Sequence, residues 1–282
     1  APAGDKAIEI DTVHAPVLHA GRARVSHLPL SAQLGYQAAM NDAALPDISV
    51  VVPVHDEAGA AVALAREIAQ AFDGRAYEMI FVDDASRDST LQELRSAMAD
   101  LPTLRVLAHA TNAGQSRAVR TGVLAARAPI VVTLDGDGQN PPADAPRLAD
   151  ALMAAPLDVA MVGGRRARRQ DSASKRRASL WANRIRRRLL GDDADDTGCG
   201  LKAFRRDAFL RLPYFDHIHR YLPALMIREG YRNAYLDVGH RHRETGRSKY
   251  TNWGRLRASL SDLVGVMWLK SRARRPGAIA EF

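Results

Sequence analysis

Four apolar segments rich in β-branched residues, each followed by a polar turn, recur along the first part of this chain. They lie at residues 48–54, 77–82, 104–107 and 129–134, and amphipathic segments that predict helices separate them. Short apolar runs of this kind are typical of strands buried on both faces of a parallel sheet. Strand and helix alternating at about 25 to 30 residues per unit predict an α/β fold, with a mostly parallel central sheet flanked by helices.

Acidic clusters follow three of the predicted strands. They are His55-Asp56-Glu57, Asp83-Asp84 and Asp135-Gly136-Asp137. In open parallel sheets, ligands bind beyond the carboxyl ends of the strands, so we expect the three clusters to meet at one edge. Carboxylates that lie so close to one another raise one another's pKa unless a cation or hydrogen-bond donors compensate their charge. Because carboxylate oxygens are the ligands that hard divalent cations prefer, the third cluster predicts a metal site.

The rest of the chain continues the pattern less regularly. Residues 1–45 are interpreted as an N-terminal extension with a short helix near 31–40, and residues 255–282 as a C-terminal amphipathic basic helix with a tail. The main domain is expected at 46–254, with further strands at 158–164, 198–204 and 233–238, and further helices at 146–154 and 221–229.

Positive charge is concentrated in one segment. Eleven Lys and Arg and a single acid lie between Arg165 and Arg188, so the remainder of the chain carries a charge of −2 although the net charge is +8. Such a segment attracts phosphate groups. Trp181, Ile185 and Leu189 share one helix face within it, which indicates a basic amphipathic helix on a membrane surface. The same pattern also fits a helix docked on the domain, with its arginines solvated or paired with the acidic residues at 192–196.

A second amphipathic helix is predicted near the C-terminus. Its apolar residues recur at 256, 260, 263, 264 and 267, with Trp268 beside them and Lys and Arg flanking them. It is shorter than a membrane span, and it fits two roles: lying on a membrane or packing on the domain.

Composition and missing motifs exclude several classes of protein. The chain is 46% hydrophobic and 26% charged, as expected for a globular domain, and it has neither a secretory signal nor an apolar run near the roughly 18 residues of a membrane span. The single cysteine, Cys199, excludes a disulfide framework and a cysteine zinc site; it is interpreted as a packed thiol in a reducing cytoplasmic setting. Glycine-rich dinucleotide and P-loop motifs are absent after the first predicted strand.

Five motifs appear in order along residues 47–255. They are Val52-Pro53-Val54-His55-Asp56-Glu57, Phe81-Val82-Asp83-Asp84-Ala85-Ser86-Arg87-Asp88-Ser89-Thr90, Asn112-Ala113-Gly114-Gln115, Leu134-Asp135-Gly136-Asp137-Gly138-Gln139-Asn140-Pro141-Pro142, and Arg243-x-x-Gly246-x-Ser248-Lys249-Tyr250. Together they resemble family 2 glycosyltransferases with the GT-A fold, in particular the dolichyl- and polyprenyl-phosphate mannose synthase group. Each motif alone is weak, whereas five in order with similar spacing are specific.

The resemblance implies a nucleotide-sugar donor, a UDP- or GDP-hexose, and a divalent metal, Mg²⁺ or Mn²⁺. It assigns the metal to Asp135, Asp137 and Gln139, with the two aspartates also catalytic. His55-Asp56 stands where the family usually has an aromatic residue and Asn, which leaves the nucleotide base open. The expected donor-binding residues are Pro53, His55, Glu57, Asp83, Asp84, Ser86, Arg117, Asp135, Gly136 and Asp137.

The expected reaction is an inverting transfer of a hexose to a lipid acceptor, with a polyprenyl phosphate preferred. A phosphate oxygen is already anionic near pH 7 and needs no strong base, whereas a hydroxyl acceptor on a glycolipid or polysaccharide needs a general base, for which Asp196 is the candidate. The residues expected to hold phosphate groups are Arg165, Arg205, Arg243, Ser248 and Lys249.

Two other classes of protein compete with this interpretation. A nucleotidyltransferase would normally carry a glycine-rich basic loop after the first strand, which the segment from Pro53 to Glu57 lacks. A nucleic-acid-binding protein could use the basic segment, but the acidic edge and the charge of −2 elsewhere oppose it. We therefore expect no nucleic acid partner, and a peripheral enzyme at the cytoplasmic face of the plasma membrane. The oligomeric state is not predicted.

Overall fold

The computed structural model describes residues 45–166, 186–192, 194, 196–241 and 252–274, with the backbone alone at 252–259. Three predictions therefore lie outside the described residues. They are the helix near 31–40, most of the basic segment with Trp181 and Ile185, and the motif from Arg243 to Tyr250.

Seven strands form one sheet, and seven helices are named here in chain order, apart from a helical segment at 186–190. The strands are β1 (Ile48–Val54), β2 (Tyr77–Asp83), β3 (Leu104–Ala108), β4 (Ile130–Thr133), β5 (Val159–Arg166), β6 (Lys202–Arg205) and β7 (Arg232–Val238). The helices are α1 (Ala60–Ala71), α2 (Thr90–Ala97), α3 (Gln115–Ala125), α4 (Ala145–Ala154), α5 (Arg206–Leu210), α6 (Leu222–Arg228) and α7 (Asn252–Ser271); short 3-10 turns lie at Pro142–Asp144 and Ile218–Arg220.

The strand order is β3-β2-β1-β4-β6-β5-β7, and β6 alone runs antiparallel to its neighbours in this sheet. The other adjacent pairs are parallel. This agrees with the predicted mostly parallel sheet. We call the edge at which β1, β2, β4, β5 and β7 end the carboxyl edge. Because β6 runs the opposite way, it begins at that edge, and the loop that precedes it is delivered there.

Both faces of the sheet are covered, as the β-branched runs predict. Every residue of β1 is buried. Val50 and Val52 belong to a core that includes side chains of α1 and α4, whereas Val51 belongs to a second core that includes α3 and α6. The alternation of side chains along a strand accounts for this division. The sheet is therefore held from both sides, and its carboxyl edge is a rigid base for the loops.

Arg205 lies at the opposite edge of the sheet from the acidic clusters. It pairs with Ile130, the first residue of β4. Its guanidinium donates to the carbonyl oxygens of Val159 at 3.0 Å, Ala155 at 3.2 Å and Leu152 at 3.3 Å. Arginine often satisfies the last carbonyls of a helix in this way, here those of α4. The predicted role of Arg205 in acceptor binding is therefore wrong.

The described end of the basic segment, residues 186–190, is helical. Arg186 donates to both carboxylate oxygens of Asp192, at 2.6 and 3.1 Å, and to the carbonyl of Ala194 at 2.8 Å. Leu190 is buried, whereas 45% of Leu189 is exposed. Of the alternatives for this segment, paired charge is confirmed for Arg186 and Asp192.

Helix α7 divides its apolar residues between two surfaces. Leu263, Val266 and Leu269 pack against the core, and Arg228 Nε donates to the Leu269 carbonyl at 3.1 Å. The other surface, which we call the α7 apolar stripe, is exposed; it consists of Leu260, Val264, Met267 and Trp268. The predicted domain boundary at 254/255 falls within this one helix. None of the described helices has the length and hydropathy that a membrane span requires.

Two helical glycines differ in the space beside them, and this difference predicts opposite effects on stability. A Cβ at Gly122 in α3 would lie 2.4 Å from Val51 Cγ1, whereas a Cβ at Gly265 in α7 would meet nothing within 4 Å. We expect Gly122→Ala to lower the free energy of unfolding by about 1–3 kcal/mol through overpacking. Gly265→Ala should raise it by up to about 1 kcal/mol because alanine favours a helix. Urea unfolding followed by circular dichroism measures both, and equal stabilities would contradict the packing described.

Candidate active site at the carboxyl edge

The first and third acidic clusters come together because of a glycine. A Cβ at Gly136 would lie 2.7 Å from the carbonyl oxygen of Pro53 and 2.8 Å from Val54 Cγ1. Only glycine allows so close an approach between the segment after β4 and the end of β1. The predicted donor residue Pro53 and the Asp135-Gly136-Asp137 turn are therefore neighbours.

Asp135 lies at the centre of the site. Its Oδ1 accepts a hydrogen bond of 2.7 Å from Gln115 Nε2, at the start of α3. Burial, followed by the neighbouring Asp137, raises the pKa of Asp135; Lys202, the bond from Gln115 and Arg166 oppose this rise. Burial thus disfavours the ionised form of Asp135, and a nearby cation would favour it.

The donor atoms present suit a hard divalent cation. Asp135 and Asp137 supply carboxylate oxygens, and Asp137 is held by a bond of 3.2 Å from the Gln139 backbone N–H to its Oδ1. Repulsion between the two aspartates is what a cation would relieve. The described residues contain no group of three or more His, Cys, Asp and Glu side chains placed to hold a metal. The pair therefore fits an ion that is also coordinated by its ligand, as Mg²⁺ commonly is.

Asp83, at the end of β2, has one carboxylate oxygen in use and one that has no partner among the described residues. Its Oδ2 accepts from the Ser86 backbone N–H at 3.1 Å. Its Oδ1 is buried, and among the described residues no hydrogen-bond donor reaches it. Since a buried oxygen of this kind is costly to leave unpaired, Asp83 Oδ1 is a place where a ligand hydroxyl or amide would be stabilised.

Asp84, in contrast, is used by the protein itself. Its carboxylate accepts from the backbone N–H groups of Ala113 at 2.9 Å and Gly114 at 2.8 Å. His109 Nδ1 lies 2.7 Å from the same carboxylate, and His55 Nδ1 lies 2.9 Å from the Asp84 carbonyl. Asp84 therefore fixes the loop between β3 and α3, and its predicted contact with the donor stays a prediction.

The turn after β1 is tied to the turn after β2. The Asp56 backbone N–H donates to Ser86 Oγ at 3.0 Å, and the Arg87 N–H donates to Asp56 Oδ1 at 2.7 Å. The Glu57 N–H donates to Thr90 Oγ1 at 2.9 Å. These bonds bring the predicted residues His55, Glu57 and Ser86 to the same edge as Asp83.

Arg117 lies on α3, two residues after Gln115. Its guanidinium carbon stands 3.9 Å above the ring of Tyr214, and that of Arg120 stands 5.4 Å away. Burial, followed by repulsion from Arg117, lowers the pKa of Arg120. The predicted contact of Arg117 with a donor phosphate stays a prediction, and the stacking holds its charge in place.

The ion pair between Arg166 and Asp196 was missed by sequence reasoning. Arg166 donates through Nε to Asp196 Oδ2 at 2.6 Å and through Nη2 to Oδ1 at 2.8 Å. This bond raises the pKa of Arg166. Arg165 instead donates to Asp237 of β7 at 2.7 Å, on an exposed surface. The missed signal was the period of two along β5, which separates neighbouring arginines.

Lys202 and His219 were also missed. Lys202 is buried in the sheet, and its Nζ donates to the Cys199 carbonyl. His219 Nδ1 lies 2.7 Å from Ser116 Oγ, and burial lowers the His219 pKa to about 3, with Lys202 the next cause. A lysine within the apolar segment 198–204 was the available signal. The Cys199 thiol is packed as predicted, and burial raises its pKa.

A mostly parallel α/β sheet with paired carboxylates at its carboxyl edge places this protein in the class of open α/β proteins whose ligands bind beyond the carboxyl ends of the strands. The family model described as "Glycosyl transferase family 2" matches residues 49–212. The chain therefore belongs to glycosyl transferase family 2. This confirms the resemblance from which the sequence predictions were made.

Two curated relatives are about one third identical to the chain over the aligned residues. An undecaprenyl-phosphate 4-deoxy-4-formamido-L-arabinose transferase of Aeromonas hydrophila is 35% identical over 215 residues, which cover 75% of this chain and 65% of the relative. A dodecaprenyl-phosphate galacturonate synthase of Rhizobium johnstonii is 33% identical over 237 residues, which cover 82% and 69%. The chain thus spans about two thirds of the length of these relatives.

Solved structures share the fold. The mannosyltransferase PcManGT from Pyrobaculum calidifontis, in complex with GDP-Man and Mn²⁺, has a TM-score of 0.59 at 21% identity, covering 87% of this chain and 73% of that one. Glucosyl-3-phosphoglycerate synthase from Mycobacterium tuberculosis, in complex with Mg²⁺ and UDP, has a TM-score of 0.58 at 20% identity, covering 86% and 84%. These similarities confirm the predicted GT-A fold.

The space beside Asp135 depends on Gly200, and this yields a prediction. A Cβ at Gly200 would lie 2.1 Å from Asp135 Oδ2, so Gly200→Ala must displace the carboxylate. We expect that variant to lose about tenfold or more in Mn²⁺ affinity, by analogy with changes around metal ligands. Isothermal titration with Mn²⁺ and UDP or GDP measures this.

The matched control is Gly198→Ala in the same loop. A Cβ there would stand 3.1 Å from Arg166 Nη2, the end of a flexible side chain, and 3.6 Å from Asp196 Oδ1. Gly198→Ala should therefore keep most of the Mn²⁺ affinity. Equal losses in the two variants would show that the loop, and not the space beside Asp135, sets the affinity.

Proposed function

We propose that this chain is a metal-dependent inverting glycosyltransferase that moves a hexose from a nucleotide sugar to a polyprenyl phosphate. The observation that carries the proposal is the Asp135-Gly136-Asp137 turn, which follows β4 at the carboxyl edge and is near enough to Arg166 and Lys202 for both to lower the Asp135 pKa. The negative charges of the two aspartates favour a bound cation, and that cation would in turn bind a phosphate group of the ligand.

The donor side of the proposal rests on Asp83 and the turn around it. Asp83 Oδ1 is buried and open to a ligand donor, and ribose hydroxyls and base amides are such donors. Structures that share the fold contain GDP-Man in one case and UDP in another. Both nucleotides therefore belong in the test.

The metal, Mg²⁺ or Mn²⁺, is proposed to bind Asp135 and Asp137, with Gln139 as a further ligand. When bound, it would neutralise negative charge on the donor diphosphate. Two residues of the chain keep the Asp135 carboxylate in the position that the metal would need. Gln115 orients Asp135 with its bond of 2.7 Å, and Gly200 leaves room for the carboxylate.

In the proposed reaction, a phosphate oxygen of the acceptor attacks the anomeric carbon while the bond from that carbon to the β-phosphate oxygen breaks. The configuration at the anomeric carbon inverts in this single displacement. Cations that face the growing charge on the diphosphate lower the barrier. Arg243, Ser248 and Lys249 keep their predicted role of holding phosphate groups, and Arg165 remains a candidate for the acceptor.

The choice of acceptor is supported by two observations. Both relatives named above are, by name, polyprenyl-phosphate enzymes. Asp196, the candidate base for a hydroxyl acceptor, already accepts two hydrogen bonds from Arg166, one on each carboxylate oxygen. A phosphate acceptor needs no such base.

The α7 apolar stripe is proposed to lie on an anionic membrane that holds the acceptor. Its four residues follow helical spacing, and between 38% and 66% of each is exposed. Arg272, whose guanidinium carbon lies 6.0 Å from the Trp268 ring, and Arg274 supply positive charge beside it. Apolar and basic residues combined on one helix surface favour an anionic lipid surface. The cytoplasmic face of the plasma membrane is the proposed location.

Turnover of nucleotide sugars tests the enzyme directly. The protein is incubated with a panel of UDP- and GDP-hexoses, Mn²⁺ or Mg²⁺, and polyprenyl phosphate, and both the nucleotide and the lipid product are measured. We expect Asp137→Asn to reduce turnover by about a hundredfold or more because a metal ligand is lost. Asp158→Asn is the control, since Asp158 pairs with Arg232 at the amino edge. Product formed only with a hydroxyl acceptor would overturn the acceptor assignment.

Vesicle binding tests the membrane proposal. Val264→Glu and Trp268→Glu place a carboxylate in the α7 apolar stripe, so co-sedimentation with phosphatidylglycerol vesicles should fall about tenfold, because burying the charge is costly. Leu157→Glu is the control, since Leu157 is 80% exposed in the turn before β5. Unchanged binding in the two stripe variants, or an equal loss in the control, would show that the stripe does not dock on lipid.

A further inference from the structure

Lys202 is buried next to the candidate metal site. Burial lowers its pKa, whereas Cys199, Asp135 and Asp196 raise it. Only 5% of the residue is exposed, and it pairs with Thr133 of β4 and Gly163 of β5, within the sheet. Thr133 precedes Asp135 by two residues. A buried ammonium is costly unless charges and hydrogen bonds compensate for the lost water. The compensating groups therefore indicate what Lys202 does.

The hydrogen bonds of β4 and β6 fix the loop beside Asp135. Lys202 Nζ donates to the Cys199 carbonyl, and Thr133 Oγ1 donates to the Gly200 carbonyl at 3.0 Å. Gly200 is the residue whose Cβ would stand 2.1 Å from Asp135 Oδ2. Lys202 thus anchors the segment that lies against the carboxylate.

The charges near Lys202 leave Asp135 as its main counterpart. Asp196 is already paired with Arg166 through two hydrogen bonds. Cys199 and His219 are uncharged near neutral pH, since burial raises the thiol pKa and lowers the imidazole pKa. Among the influences that lower the Asp135 pKa, Lys202 is the largest.

We propose that Lys202 is a positioning residue that balances Asp135 in the free protein and makes divalent-cation binding depend on the donor's diphosphate. A cation at Asp135 is repelled by the nearby ammonium. The negative charge of a nucleoside diphosphate offsets that repulsion, so metal and donor bind together. This inference rests on the proposed function, because it assumes the metal site at Asp135 and Asp137.

Mn²⁺ binding measured without any acceptor tests the inference. Electron paramagnetic resonance at pH 8 gives the affinity for free Mn²⁺, and for Mn²⁺ in the presence of UDP or GDP. Lys202→Met removes the charge with a side chain of similar length. We therefore expect free Mn²⁺ to bind at least about tenfold more tightly, and nucleotide to increase the Mn²⁺ affinity by a smaller factor than in the wild-type protein. Lys202→Arg keeps the charge, so free Mn²⁺ should still bind weakly and nucleotide should still increase the Mn²⁺ affinity by a large factor.

Two further variants separate charge from structure. Arg205→Met removes a cation from the same strand at the amino edge, and it should leave Mn²⁺ affinity unchanged. Lys202→Gln is neutral but still donates a hydrogen bond, and it replaces Lys202→Met if that variant does not fold by circular dichroism. A residue that only anchored the loop would weaken Mn²⁺ binding when replaced, with and without nucleotide.

The outcomes distinguish this inference from the proposed function. If the wild-type protein binds Mn²⁺ with nucleotide but neither neutral variant binds free Mn²⁺ more tightly, the role of Lys202 is refuted and the glycosyltransferase proposal stands. If the wild-type protein binds no Mn²⁺ under any of these conditions, the metal site and the role of Lys202 are refuted together.

Discussion

The balance of charge around Asp135 is the interaction on which the candidate site depends. Burial and Asp137 both disfavour the ionised carboxylate, whereas Gln115 and Lys202 favour it. A site of this kind does not relax into water when a ligand leaves, because its groups are fixed in the sheet and at the start of a helix. Such fixed charges are more effective in stabilising a reacting phosphate than the same charges on a mobile loop.

The direction of β6 makes this balance possible. If β6 ran parallel to its neighbours, Lys202 would begin the strand at the amino edge, where Arg205 lies instead. The reversal delivers the segment from Asp196 to Gly200 to the carboxyl edge, beside the turn after β4. Half of the site therefore comes from the parallel units and half from one antiparallel strand.

Sequence patterns predicted the first half well and the second half poorly. The β-branched runs before Asp83 and Asp135 indicated buried parallel strands. Because the carboxyl ends of parallel strands lie at the same edge of a sheet, the aspartates that follow them were predicted to lie close together. No local pattern gives the direction of a short strand such as β6, so Arg205 was assigned to the wrong edge. The ion pair of Arg166 with Asp196 was not predicted because the phase of alternation depends on β5 pairing with β7, which is a long-range property.

Gly122 shows how a position far from the chemistry limits changes within it. Its missing side chain sets how closely α3 approaches β1, and α3 begins with Gln115 and Ser116, which contact Asp135 and His219. Redesign of sugar selectivity can therefore vary the loops at the carboxyl edge, but the separation between this helix and the sheet must be kept. The position of the start of this helix is therefore set in part by a residue that packs against β1 and β2, away from the acidic clusters.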